Sequence, residues 1–397
     1  MGAGCDKPAA RRGGVELADI FRAHGESYRR NHRLPVSHLK IIEAVERCRT
    51  AVLGGHMERC DACGFERPAY NSCRNRHCPK CQSLAKVKWL DKQKSELLPT
   101  GYFHLVFTLP HELNPLILVN KKPLINILFH SVWQTLAQFA RRRLGGSLGI
   151  TAVLHTWDQT LLDHFHLHCL VPAGALSFDR TRWVAARQNF LFPVKALSRV
   201  FRAKFLDSVK KCFDHNNLLF VGQIEPLANA ENFNGLLKTL RKKPWVVYAK
   251  KPFGSPLHVL DYLGRYTHRV ALSNDRIVSS YDGKVTFAYR DRKIQDRQKL
   301  MTLDAEEFIR RFLLHVIPKG FMRVRHYGFL ANHRKDCLSK CRQLMGLSPQ
   351  PSQPPHRTTE ELMRTLTGID ITQCPHCQKG TLIWVSKLAV CTPWNSS

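Results

Sequence analysis

Acidic residues are scarce in this sequence of 397 residues. Aspartate and glutamate together number 31 against 61 lysines and arginines, which gives a formal net charge of +30 at pH 7. A positive field of this size suits a polyanionic partner, and nucleic acid is the natural candidate. A basic soluble protein without such a partner is the alternative, and composition alone leaves it open.

Three further signals are missing. No run of about 18 apolar residues occurs, so the sequence predicts no transmembrane span. Residues 1–14 are polar and lack the apolar stretch of a signal peptide, so we expect a protein that is not secreted. No Walker A motif is present, since the stretch Gly145–Gly149 is not followed by Gly-Lys-Ser/Thr. An ATP-driven mechanism is therefore not expected.

Cysteine, by contrast, is abundant, with 14 residues. In a chain without a secretion signal, Cys-x-x-Cys pairs indicate reduced, metal-binding thiols and a cytoplasmic protein. Cys60-Asp61-Ala62-Cys63 is followed, fourteen residues later, by Cys78-Pro79-Lys80-Cys81. This spacing predicts one zinc ribbon with the ligands Cys60, Cys63, Cys78 and Cys81. The zinc would be structural, because four thiolates leave no open position for chemistry.

Several neighbours leave alternatives open at this ribbon. Cys73, His77 and His56 could replace one ligand or bind a second ion, and free thiols or a redox pair are the competing interpretation. Basic residues are interleaved with the cysteines, and Tyr70 lies among them, a mixture that suits phosphate contacts and base stacking. We take Arg74, Arg76 and Lys80 as candidate DNA-binding residues, with a solvated basic face as the alternative.

A second, incomplete cysteine pattern follows the proline-rich linker Ser348–His356. Cys374-Pro375-His376-Cys377 is half of a zinc site, and no further Cys-x-x-Cys pair comes after it. Cys391 or His376 could contribute to it, and Cys337 and Cys341 are also available. On the sequence alone this is a weak, truncated ribbon.

Hydrophobic periodicity predicts mixed α and β structure. The predicted helices are residues 15–34, Val36–Val52, Leu84–Leu98, Pro123–Arg143, Phe190–Phe213, Pro256–Val270 and Glu307–Ile317. The predicted strands are Tyr102–Pro110, Ile150–Gln159, His164–Pro172 and Trp245–Lys250, with a hairpin over Val278–Tyr289 around Asp282-Gly283.

The strand His164–Pro172 carries an unusual pattern. Its alternation places His164, His166 and His168 on one face and apolar residues on the other. Imidazole is a common ligand of catalytic divalent metals, so the row predicts half of a metal site. Histidines that are each satisfied by a local hydrogen bond are the alternative. In a hairpin with Ile150–Gln159, Gln159 could be the third ligand, and Asp158 is its rival one register position away.

Two tyrosines stand at helical spacing further along the chain. Tyr262 and Tyr266 are four residues apart, so both phenols would project from one face of the predicted helix Pro256–Val270. Such pairs are usually packing residues, and the spacing alone does not predict a function. In a strongly basic protein with a histidine metal site, the pair becomes a candidate for nucleophilic chemistry.

These motifs together resemble those of the two-tyrosine HUH rolling-circle transposases of bacterial insertion sequences. His166-Leu167-His168 is similar to the His-hydrophobic-His motif of HUH endonucleases, and Tyr262-x-x-x-Tyr266 is similar to the paired nucleophiles of this family. The cysteine module resembles the family's zinc-binding domain. The resemblance covers residues 20–345 and selects His166 and His168 as ligands.

The resemblance implies an α+β fold in which an HUH-like antiparallel sheet is flanked by helices and preceded by a helical zinc-ribbon domain. The domains would be residues 15–98, 100–330 and a basic C-terminal region, 331–397. It implies a transposase that cuts and joins single-stranded DNA at element ends and target, with Tyr262 and Tyr266 forming 5′-phosphotyrosine intermediates. Structural Zn²⁺ and catalytic Mg²⁺ or Mn²⁺ are the implied cofactors. Host replication proteins are implied partners, and the nucleoid is the implied location.

Two other functions compete with this interpretation. A rolling-circle replication initiator would use the same chemistry, although the N-terminal ribbon argues against it. A non-catalytic zinc protein that binds nucleic acid would need neither the histidines nor the tyrosines.

Overall fold

The computed structural model describes residues 14–187, 189–250, 264, 271–291, 297–353 and 356–391. Its helices are α1 Leu17–Asn31, α2 Val36–Glu46, α3 Pro79–Ser95, α4 Asn114–Val119, α5 Lys121–Leu144, α6 Val194–Asp214, α7 Ala230–Lys242, α8 Ala305–Leu314, α9 Lys335–Leu344 and α10 Thr359–Thr367. Its strands are β1 Gly55–Cys60, β2 Glu66–Tyr70, β3 Tyr102–Thr108, β4 Gly146–Ser147, β5 Gly149–Trp157, β6 Asp163–Pro172, β7 Gly174–Ser177, β8 Trp183–Ala185, β9 Val247–Lys250, β10 Ile277–Tyr281, β11 Lys284–Asp291, β12 Arg297–Asp304, β13 Val324–Gly328 and β14 Leu382–Leu388. No helix of the described part is long and apolar enough to cross a membrane.

A five-stranded antiparallel sheet organises the molecule, in the order β13-β5-β6-β3-β9. The apolar alternation of β6 buries Phe165, Leu167, Cys169 and Val171 in the largest core, where the apolar sides of α5, α6 and α7 pack. The opposite residues of the same strand, His166 and His168, point to the other face. We call that second face the histidine face.

Other elements cover the histidine face. Leu90 of α3 packs on Tyr102 and Leu170, which belong to β3 and β6. A second core joins α1, α2 and α8 to the small sheet β10-β11-β12 and to Trp157 at the end of β5. The side chains of His166 and His168, which lie between these two contacts, are therefore enclosed within the protein.

The last strand of the chain joins the N-terminal module. β14 pairs antiparallel with β1 in the sheet β14-β1-β2, and Cys60 stands opposite Leu382. The region predicted as residues 331–397 is thus divided in space, because α9 packs instead near β7 and the turn after β13. The domain boundaries themselves stay predictions.

The α+β class with antiparallel sheets and flanking helices is confirmed. The predicted hairpin of Ile150–Gln159 with His164–Pro172 forms as β5 and β6. The predicted turn at Asp282-Gly283 connects β10 to β11, and its two residues have positive φ angles of 47° and 68°. The predicted helix Pro256–Val270 lies outside the described residues except for Gly264.

Candidate metal centre and nucleic-acid interface

Three imidazoles converge on the histidine face. His166 Nε2 lies 3.0 Å from His155 Nδ1 and 3.1 Å from His168 Nε2. Adjacent nitrogen ligands of an ion with bonds of about 2.1 Å lie about 3.0 to 3.4 Å apart, depending on the coordination geometry. The three nitrogens therefore fit one divalent ion, and all three side chains are buried.

Strand pairing explains this convergence. His155 of β5 stands directly opposite His166 of β6, and directly opposed residues of an antiparallel pair share a face. His166 and His168 are two positions apart on β6 and so share that face as well. His164, the first residue of the row, is exposed.

Hydrogen bonds orient the two histidines of β6. His166 Nδ1 lies 2.8 Å from the carbonyl oxygen of His164, which can only accept, so Nδ1 carries the proton and Nε2 presents its lone pair. His168 Nδ1 lies 2.9 Å from Nε2 of His104 on β3, leaving His168 Nε2 directed at the cluster. A partner on the outer nitrogen is the usual arrangement around metal-binding histidines.

Burial favours the neutral form of His155 and of His104. Desolvation, and then the neighbouring His166 and His168, hold the pKa of His155 well below its usual value. Burial also lowers the pKa of His104 to about 4. Neutral imidazole is the form that binds a metal, so the site is prepared for an ion at neutral pH.

The residue at the third position of the cluster, His155, differs from the candidates named in the sequence analysis, Gln159 and Asp158. Gln159 lies in the turn beyond the end of β5, where its backbone oxygen accepts a hydrogen bond from Arg276 Nη2 at 2.7 Å. Asp158 accepts hydrogen bonds from the backbone N–H groups of Thr160 and Leu162, which closes the same turn. His155 lies at the third position of the cluster, while Gln159 as a ligand stays a prediction from the sequence.

The predicted nucleophiles Tyr262 and Tyr266 lie outside the described residues. Gly264, midway between them, is described and buried. A Cβ added to Gly264 would lie 2.9 and 3.0 Å from the two Leu90 methyl groups of α3, so the backbone approaches α3 closely. Leu90 itself packs on the histidine face, and the centre of the tyrosine motif is thus near that face.

A first four-cysteine cluster lies at the start of α3. Its members are Cys48, Cys73, Cys78 and Cys81. The Sγ atom of Cys48 lies 3.7 Å from those of Cys78 and Cys81, and the Cys73 and Cys81 sulfurs are 3.6 Å apart. Four thiolates around a tetrahedral zinc, with bonds of about 2.3 Å, lie about 3.8 Å apart. The partial positive charge at the N-terminus of α3 favours such thiolates.

A second cluster contains Cys60, Cys63, Cys374 and Cys377. The structure thus corrects the predicted single ribbon, because Cys60 and Cys63 lie in one cluster while Cys78 and Cys81 lie in the other. The cause is the pairing of β14 with β1, which brings a distant cysteine pair to the first one. Of the proposed substitutes, Cys73 belongs to a cluster, whereas His56 lies near Glu58 and His77 near Asn75.

Comparisons with known proteins agree with these features. Residues 20–109 match the family described as "Transposase zinc-binding domain", and residues 149–337 match the family described as "Putative transposase". The chain is 49% identical over 381 residues to "Putative transposase y4qJ" of Sinorhizobium fredii, covering 94% of this chain and 96% of that protein. The chain belongs to this family of transposases.

A second relative extends this assignment. The transposase for insertion sequence element IS801 of Pseudomonas savastanoi pv. phaseolicola is 30% identical over 291 residues, which are 72% of this chain and 68% of that protein. The Cys48 cluster lies wholly within the match to the zinc-binding domain, and so structural zinc is a property of this transposase. The histidine cluster lies within the match at residues 149–337.

The three predicted DNA-binding residues of the transposase differ in their surroundings. Arg74 is exposed. Arg76 donates a hydrogen bond to the backbone oxygen of Phe321 at 2.7 Å, and Lys80 forms a 2.7 Å ion pair with Glu16. Lys80 is thus partly neutralised within the protein, while Arg76 lies at the wall of a cavity.

That cavity, of about 930 Å³, opens at the β13 edge of the central sheet. Among the described residues that line it, none is acidic, and three are the exposed lysines Lys92, Lys122 and Lys319. Val324 and His326 also line it and pair with Val153 and Thr151, two residues that share the face of His155. A basic cavity therefore runs beside the histidine cluster.

Proposed function

We propose that this transposase cuts and joins single-stranded DNA by tyrosine attack, with a divalent ion held by His155, His166 and His168. The observation that carries the proposal is the convergence of three buried imidazole nitrogens on one point. Membership of a transposase family supplies the reaction class, and the two-tyrosine motif supplies the nucleophiles.

The donor set fits a divalent ion. When bound, the ion polarises the scissile phosphate and stabilises the negative charge that develops on it. Three nitrogen ligands suit Mn²⁺ better than Mg²⁺, since Mg²⁺ prefers oxygen ligands. We therefore expect Mn²⁺ to be the better of the two cofactors predicted from the sequence.

The tyrosines would carry out the covalent chemistry. The phenolic oxygen of Tyr262 or Tyr266 attacks phosphorus and loses its proton, the bond to the 3′ oxygen breaks, and that oxygen leaves as a 3′-hydroxyl. A phenol with a pKa of about 10 needs help to do this at neutral pH, which is why it belongs beside a cation. Attack of a 3′-hydroxyl on the phosphotyrosine then joins strands and releases the tyrosine.

Two tyrosines permit a second cleavage while the first adduct persists. The free 3′ end would be extended by the host replication machinery, in line with a sequence that contains no Walker A motif. Element ends and the target would both be substrates as single strands. A replication initiator would share the first cleavage, but the family assignment favours transposition.

The covalent adduct tests this function. Purified protein is incubated with Mn²⁺ and single-stranded DNA from the element ends, labelled on the 3′ side of the cut so that the label stays on the protein. We expect a labelled protein band in the wild type and none in Tyr262→Phe/Tyr266→Phe. Tyr281→Phe, at a tyrosine that is 85% exposed, is the matched control and should form the adduct normally. An adduct that persists in the double variant, or no adduct in the wild type with any divalent ion, contradicts the proposal.

The basic cavity is the path we propose for the single strand. Lys92, Lys122 and Lys319 lie along it with exposed side chains, and Arg76, Arg323 and Arg325 contribute three further cations. Phosphate contacts of this kind release counterions, so they make binding dependent on salt. The cavity borders the histidine face, which would deliver a phosphate of the strand toward the cluster.

Salt dependence of binding tests this path. Each phosphate contact to a single strand contributes about 0.7 to the slope of log K against log salt. Replacing Lys92, Lys122 and Lys319 together with glutamine should therefore reduce the slope by about 2, measured by fluorescence anisotropy. The control replaces Lys195, Lys238 and Lys242, which lie on α6 and α7 against the other sheet face. Equal loss of slope in both triple variants would show that only net charge matters.

A further inference from the structure

Two cysteine pairs from opposite ends of the chain meet in the second cluster. The Sγ atoms of Cys60 and Cys377 lie 3.7 Å apart, and so do those of Cys63 and Cys374. All four ligand atoms lie within 4.8 Å of one another. Sulfurs of a tetrahedral zinc site have this spacing, which ordinary packing of free thiols does not require.

The two pairs have the same local conformation. In each, the residue after the second cysteine has a positive φ, 70° at Gly64 and 55° at Gln378. The N–H of that residue donates to the carbonyl oxygen of the first cysteine, at 3.1 Å for Gly64 and 3.0 Å for Gln378. The matching turns direct both sulfurs of each pair toward the sulfurs of the other pair.

The backbone is also fitted to sulfur. The Gly380 N–H donates to Cys377 Sγ at 3.3 Å. A Cβ on Gly380 would lie 2.4 Å from Cys60 Sγ, so only glycine permits this approach. Backbone N–H groups directed at sulfur favour the thiolate form, which is the form that binds zinc.

Little else is present to hold this part of the protein together. The local core consists of the buried residues Cys60, Cys374 and Leu382, with Phe65 and Cys377 packed against them. A core this small rarely supplies enough stability by itself, and natural modules of this size commonly use a metal.

We propose that Cys60, Cys63, Cys374 and Cys377 bind a zinc ion of their own, which fastens the C-terminal segment to the N-terminal module. Cys374 and Cys377 lie beyond both family matches, at residues 20–109 and 149–337. The zinc would join residues more than 310 positions apart in the sequence, Cys63 with Cys374 and Cys60 with Cys377. These four cysteines take no part in the proposed cleavage chemistry.

The fastened segment includes α10, which lies beside Gly264. Leu362 of α10 is buried, and Arg357, just before this helix, lies 3.8 Å from Asp91 of α3. A cavity of about 400 Å³ is lined by Met363 and Leu366 of α10 together with Gly264. The zinc would thus keep α10 next to the centre of the predicted nucleophile motif.

Zinc content tests the site without any activity measurement. Cys374→Ser/Cys377→Ser should contain one zinc ion per chain fewer than the wild type, and Cys391→Ser, in the same segment, should lose none. Metal at the histidine cluster cancels in this comparison, since all the chains share it. If the double variant precipitates, Cys63→Ser is used, because Cys63 is exposed. Unchanged zinc content in these variants overturns the proposal.

Cleavage of the linker tests the fastening role. A protease site is inserted within residues 349–353, and the cut protein is examined by size-exclusion chromatography. The C-terminal fragment should remain bound in the wild type, leave after chelation, and leave without chelation in Cys374→Ser/Cys377→Ser. A fragment that stays bound in the cut double variant would show that strand pairing alone holds it, and the zinc would then have no fastening role.

Discussion

His155→Ala is expected to reduce adduct formation by more than about 100-fold, because it removes one of the three imidazoles that we propose hold the metal. Loss of a residue that merely orients a ligand already costs about 10- to 100-fold in affinity or activity. The rate of adduct formation is measured under single-turnover conditions with Mn²⁺. Isothermal titration of Mn²⁺ should show a matching loss of affinity.

Two controls separate ligand loss from damage to the fold. Gln159→Ala should cut and bind Mn²⁺ like the wild type, because the turn holds Gln159 beyond the end of β5. His315→Ala removes another buried histidine, whose Nε2 lies 3.0 Å from the carbonyl oxygen of Leu161. It should lower the melting temperature but leave Mn²⁺ affinity intact. Normal cutting by His155→Ala together with loss in Gln159→Ala would restore the ligand predicted from the sequence.

The sequence was sufficient to place two of the three clustered histidines on one face. Alternation on β6 places His166 and His168 on one face whatever the strand pairs with, and that part of the prediction depends only on local geometry. The third ligand depends on where the hairpin turns. Trp157 pairs with Asp163 and His155 with His166, a register that shifts by one residue between the two pairs. Such an irregularity has no recognisable signal in a single sequence.

The cysteine clusters also combine a part that the sequence predicts with a part that depends on the fold. The spacing of Cys-x-x-Cys pairs predicts zinc ligands, and proximity in sequence favours the pair Cys78 and Cys81 as the partner of Cys60 and Cys63. The cysteines that meet Cys60 and Cys63 do so because β14 pairs with β1, a contact between residues that are more than 300 positions apart. Cys48 and Cys73 are single cysteines, and only the fold brings them to Cys78 and Cys81. The periodicity of helices and strands, in contrast, is local, and most of those predictions are confirmed.

Cys78→Ser is expected to have the largest effect on stability. Cys48 and Cys78 are 3% and 2% exposed and belong to the core that also contains Trp157, two residues from His155. Structural zinc contributes about 10–16 kcal/mol of apparent binding free energy in small zinc modules. We expect this variant to lose its zinc, and the free energy of unfolding of the N-terminal module to fall by more than about 5 kcal/mol. Urea unfolding followed by tryptophan fluorescence measures this, with Cys212→Ser as the control.

Combining substitutions distinguishes two zinc sites from one. In a single ribbon of Cys60, Cys63, Cys78 and Cys81, Cys60→Ser and Cys78→Ser would remove the same ion, and the double variant would lose no more zinc than either alone. With the two separate clusters of the structure, each substitution would remove a different ion, so the double variant should lose two per chain. Cys60→Ser alone should leave the core around Trp157 folded, because Cys60 belongs to the separate, smaller core. If the double variant loses no more zinc than either single variant, Cys60, Cys63, Cys78 and Cys81 bind one ion together, and the two-site arrangement is wrong.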